Sequence, residues 1–101
     1  MAGAFGPFHV SKLAPVAEAI RELAKSARAA GKTEVLIEVL SEIVSELETD
    51  PITWGNAQFH PKKAGSVVCQ RIWRGISVRY AVFEQERKVM ILEIKTYPEP
   101  A

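Results

Sequence analysis

The apolar positions of this chain change period part-way along it. Over residues 14–49 they recur every three to four residues, whereas from 66 to 96 they come in short runs broken by turn residues. The first pattern belongs to amphipathic helices and the second to strands of an antiparallel meander. In the first helix Val16, Ile20, Leu23, Ala24 and Ala27 form the apolar stripe, with Glu18, Arg21, Glu22, Lys25 and Arg28 opposite. Pro15 suits its first turn and Gly31 its end. A second helix begins at Thr33, a candidate N-cap, with Glu34 in the first turn. Its expected buried stripe is Leu36, Leu40, Ile43, Val44 and Leu47. Glu34, Glu38, Glu42 and Glu46 form an acidic ridge on the other side, read as a solvated face. Asp50-Pro51 ends it, because the residue before proline is pushed out of the α region. So short a connection packs the two helices as an antiparallel hairpin.

Three strands follow, over about Ser66 to Trp73, Ile76 to Phe83 and Lys88 to Lys95. They are joined by an Arg74-Gly75 turn and a Glu84 to Arg87 loop. Val78, Tyr80 and Val82 share one face of the middle strand, and Arg79, Ala81 and Phe83 the other. Ahead of the hairpin, Phe8-His9-Val10 reads as a short strand, with Pro7 at its start as at a sheet edge. Residues 52–65 form the longest irregular connection. The expectation is one α+β domain over residues 1–101, two layers deep. It has a helical hairpin at about 14–49, a three-stranded meander at about 66–96, and a sheet face left partly open.

Composition narrows the function classes. With 48% hydrophobic and 25% charged residues among 101, the chain is an ordinary folded domain. No apolar run reaches the roughly 20 residues of a membrane span, and no secretory signal is apparent. The single Cys69 cannot form an internal disulfide, so a reducing cytoplasm is the expected compartment. It sits within a strand and reads as a small buried apolar residue rather than a nucleophile. His9 and His60, far apart, make no metal set with one cysteine, and no cofactor is expected. GxGxxG, P-loop, HExxH, CxxC and GxSxG signatures do not occur. Trp54 and Trp73 are read as packing against the helices, with base stacking as the other use of such residues.

Charge is divided unevenly. Residues 1–50 carry five Lys/Arg against eight Asp/Glu, and residues 51–101 carry eight against four, so −3 is followed by +4. A basic sheet half suggests a polyanion partner. The candidate cations of that half are Lys62, Lys63, Arg71, Arg74, Arg79 and Lys95, with His60 and Tyr97 nearby in sequence. Regular alternation puts Arg71 and Trp73 on one face and Arg74 on the other. Arg79, on the central strand, must reach solvent, a carboxylate or a phosphate; Glu93 and the helix carboxylates are the internal choices.

The order of elements, together with RGISVRYAVFEQERKVMILEI, resembles the RelE/ParE superfamily of toxins from type II toxin–antitoxin systems. Arg79-Tyr80-Ala81-Val82, the Glu-rich turn and Val89-Met90-Ile91-Leu92 carry the likeness. In its RelE branch the resemblance implies metal-independent endoribonuclease cleavage of mRNA on the ribosome, by attack of a 2′-hydroxyl on the adjacent phosphate. Lys62 and Lys63 resemble the lysines before the meander, Arg71 or Arg79 the sheet arginine that holds the phosphate, and Tyr97 the C-terminal tyrosine. The implied catalytic set is Lys62, Lys63, Arg79 and Tyr97, with Arg71, Arg74 and Lys95 binding RNA. Lys95 stands where the family usually has an arginine. In the ParE branch the resemblance implies DNA gyrase as target, or an inactive relative of the same fold. Both branches imply a cognate antitoxin and no membrane.

Overall fold

A computed structural model of the chain describes residues 7–59 and 65–97. The expected elements are present: β1 (His9–Lys12), α1 (Ala14–Ala29), α2 (Thr33–Thr49) and the three meander strands β3 (Val67–Trp73), β4 (Ile76–Phe83) and β5 (Lys88–Thr96). Two more lie in the stretch read as an irregular connection, a single helical turn α3 (Pro51–Trp54) and a strand β2 (Asn56–Phe59). They complete a five-stranded sheet in the order β1-β5-β4-β3-β2. β1 runs parallel to β5, and every other pair is antiparallel. The class is α+β, helices on one face of the sheet.

The Asp50-Pro51 pair explains α3. It ends α2, but the Asp50 carboxylate then accepts a hydrogen bond from Thr53 N at 3.4 Å, and Pro51 occupies the first helical position. A capping acid followed by proline is a helix start as well as a stop. At the head of α2 the expectation was off by one. Lys32 is the N-cap and Thr33 the first helical residue, with no side-chain cap.

The helical layer packs on the Val78–Tyr80–Val82 face, where all three are fully buried. α1 contributes Val16, and α2 contributes Val39, Ile43 and Leu47. Val44, expected in that stripe, is 37% exposed, while Val39 is 2% exposed. Apolar residues surround more than half of α2, so composition could not choose the centre of its buried face; packing on the sheet did. Leu36 and Leu40 flank that centre, half-buried.

Two backbone details aim the site. Arg74 (φ +50°) and Gly75 (φ +86°) are both left-handed, the geometry of a two-residue type I′ hairpin turn. In β5, Ile91 pairs with Tyr80 and Glu93 with Arg79, which leaves Leu92 as an extra residue, a β-bulge. The bulge resets the alternation. Ile91 and Ile94 both face the helices, and Glu93 and Lys95 both face away.

Candidate functional site

The face of the sheet that the helices leave uncovered is built from alternate residues of the strands. The register sets them in rows. One row runs Gln70 on β3, Arg79 on β4 and Glu93 on β5; the next runs Ile72, Ser77 and Lys95. An Arg79 guanidinium N–H donates to Glu93 Oε1 at 3.0 Å, with the two side chains 48% and 43% exposed. That hydrogen bond, aided by the charge of Lys95, holds the Glu93 carboxyl below the usual range. Gln70 Nε2 donates to Ser77 Oγ at 3.1 Å, and Ser77 is buried. The outcome is one polar band of two cations, one carboxylate, an amide and a hydroxyl. Further along, the same face carries the apolar Val68, Ala81, Phe83 and Met90, with the exposed Lys88 opposite Phe83.

A cavity of about 420 Å³ opens where β5 passes the start of α1, and Arg79, Glu93 and Lys95 line it beside Pro15, Ala19 and Leu92. Tyr97 follows the end of β5, 52% exposed, its backbone N–H bonded to Gly75 O at 2.9 Å.

Arg71 and Arg74 are not part of this band. Arg71 faces the helical layer: its guanidinium lies 5.4 Å from each of the Trp54 and Trp73 ring centroids and donates to Trp54 O at 2.7 Å. Arg74 belongs to the turn rather than to the strand, so alternation does not govern it. It reaches the same side as Arg71, where it bonds Glu38 at 3.1 Å and Glu42 at 2.9 Å. Trp73 Nε1 donates to Glu42 as well, at 2.9 Å. The hydrogen bond from Trp73, then that from Arg74, lowers the Glu42 pKa. The acidic ridge read as solvated is thus partly engaged by the sheet. Lys62, Lys63 and His60 lie outside the described residues.

Both tryptophans pack inward. Cys69 is fully buried and burial pushes its thiol pKa up, which suits the packing role expected of it. Gln70 and Ser77 were not singled out from the sequence. Pairing β3 with β4 across the two-residue Arg74-Gly75 turn places both beside Arg79, and that was the available signal.

This arrangement of strands and helices is a RelE-like fold. It is similar to a chain of the RelBE2 toxin–antitoxin complex from Mycobacterium tuberculosis, with a TM-score of 0.64 and 16% identity, over 94% of this chain and 97% of that one. It is also similar to a chain of the archaeal RelE–RelB complex from Pyrococcus horikoshii, with a TM-score of 0.62 and 16% identity, over 92% and 98%. No protein-family model matches the sequence. No curated protein matches it either. No helix among the described residues is long and apolar enough to cross a membrane.

Proposed function

We propose that this chain is the toxin of a type II toxin–antitoxin pair, acting in the cytoplasm and neutralised by a cognate antitoxin. What supports this is a fold likeness that runs almost the whole length of both chains, to a chain of the RelBE2 toxin–antitoxin complex and to a chain of the archaeal RelE–RelB complex. The finer reading is a metal-independent endoribonuclease that cleaves mRNA on the ribosome. Attack by a 2′-hydroxyl needs a base, cations around the phosphorane and an acid for the leaving oxygen. Arg79, on the central strand of the open face, is the phosphate holder in this reading, with Lys95 beside it. Tyr97 supplies an O–H at the end of β5, and Lys62 and Lys63 supply the remaining cations and the base. Arg71 and Arg74, turned to the helical layer, hold that layer rather than RNA.

A second reading is a ParE-like toxin that binds DNA gyrase and cleaves nothing. The Arg79–Glu93 ion pair favours it, because it neutralises the one arginine of the band, as does the apolar half of the same face. Induced expression of the parent and of a Lys62→Ala, Lys63→Ala, Arg79→Ala variant separates the two. The nuclease reading expects growth arrest and cut ribosome-bound mRNA with the parent only. Arrest by both chains with intact mRNA and blocked supercoiling supports the gyrase reading. Soluble protein and no arrest from either overturns the toxin assignment.

A further inference from the structure

Glu93 is the one carboxylate that the described strand residues place on the open face. The bulge at Leu92 is the reason it is there. With regular alternation after Ile91, Glu93 would turn toward the helical layer and Leu92 outward; bulges re-aim side chains in this way beside functional sites. Glu93 then stands directly across from Arg79 and gives it a carboxylate oxygen at 3.0 Å. A carboxylate and a phosphodiester present similar oxygens to a guanidinium. The polar groups around the pair carry no further negative charge: the Lys95 ammonium, the Ser77 hydroxyl and the Gln70 amide, each able to donate. The cavity along β5 leaves room for a larger anion beside the pair.

We propose that Glu93 is a built-in competitor for phosphate. It holds Arg79 where a phosphodiester of single-stranded RNA would be held, so that the open face takes up RNA only by displacing this carboxylate. The inference rests on the reading of the open face as an RNA-contacting surface. Both side chains are close to half exposed, and ion pairs so open to solvent are weak, so RNA can displace the carboxylate. Glu93 thereby sets a threshold, favouring RNA that makes several contacts at once over isolated anions.

The test uses the full chain as parent, Glu93→Gln, Arg79→Ala and the double variant. A fluorescein-labelled single-stranded RNA oligonucleotide is titrated at several KCl concentrations and followed by anisotropy. Circular dichroism confirms that each variant is folded. Glu93→Gln is expected to bind about threefold to tenfold more tightly. The slope of log K against log salt should steepen by about 0.7, the value for one further phosphate neutralised on a single strand. In the Arg79→Ala background the same change should do nothing to affinity or slope. A gain of equal size there means a general charge effect and overturns the proposal, as does an unchanged affinity in Glu93→Gln when the parent binds RNA.

A second probe separates the two levels of the argument: the Arg79 side-chain N–H resonance followed while inorganic pyrophosphate is added. If no chain binds RNA but pyrophosphate moves that resonance at a severalfold lower concentration in Glu93→Gln, the competitor stands and the RNA reading falls. If neither probe distinguishes Glu93→Gln from the parent, the competitor is overturned.

Discussion

At Gly55 the need for glycine comes from a neighbour, because its own backbone is ordinary. A Cβ there would lie 2.1 Å from the Tyr80 hydroxyl and 2.9 Å from its ring carbon. Tyr80 cannot step aside: it is fully buried, and its O–H donates to Pro51 O at 2.6 Å. Gly55→Ala is therefore expected to cost about 2–3 kcal/mol, at the upper end for overpacking, read as a lower urea midpoint at unchanged slope. Glu42 gives a second prediction, in pH. Its carboxyl is lowered by Trp73 and Arg74, so the stabilisation it brings is fully present above the unfolded carboxylate value, about 4.3. As pH falls through the lower folded value, that stabilisation is lost. Urea midpoints between pH 7 and pH 3 should fall less steeply below about pH 4.5 in Glu42→Gln than in the parent.

The bulge in β5 shows what an element can decide that its residues do not. Val89-Met90-Ile91-Leu92-Glu93-Ile94-Lys95 does not alternate strictly, since Ile91 and Leu92 are both apolar. Two readings of such a run are open from sequence, and one extra residue chooses between them. Deleting Leu92 should remove the bulge and leave Glu93 and Lys95 on the open face and Ile94 inward, because Glu93 then follows Ile91 in direct alternation. The deletion is therefore expected to cost no more than about 1–3 kcal/mol and to keep a cooperative thermal transition, whereas inward-turned charges would abolish it. The helices were legible for the opposite reason: Pro15, Gly31 and Asp50-Pro51 are local stops and starts that act through the backbone. α3 and β2 were missed because one helical turn and a four-residue strand carry too few positions to show a period.

For the whole molecule the sheet is closed by its two ends. β1 pairs with residues 88–91 of β5, Phe8 N donates to Glu48 O at 2.9 Å, and Leu13 N to Ile91 O at 3.1 Å. β1 thus covers the edge of a strand more than seventy residues away. A chain beginning at Leu13 loses this cover and the buried Phe8. It is expected to melt several degrees lower and to self-associate through β5 in sedimentation runs, because a bare edge is a template for pairing. The acidic and basic halves seen in the sequence are not separate surfaces in the fold. Arg74 crosses between them to Glu38 and Glu42, while Arg79 finds its acid within the sheet half.

Hydrophobic period, proline and glycine positions and turn pairs were enough for the class, the element order and the grouping of Val78, Tyr80 and Val82 on one face. Each is a local or nearest-neighbour property of the chain. The grouping of the cations was not. Which face Arg71, Arg74, Arg79 and Lys95 occupy depends on where β3 stops, on a left-handed turn and on one bulged residue. Each of these is set by pairing between strands, and a change of a single residue moves a side chain to the opposite face. The sequence therefore supplied the list of cations, and strand register divided it, leaving Arg79 and Lys95 beside Glu93 on the open face.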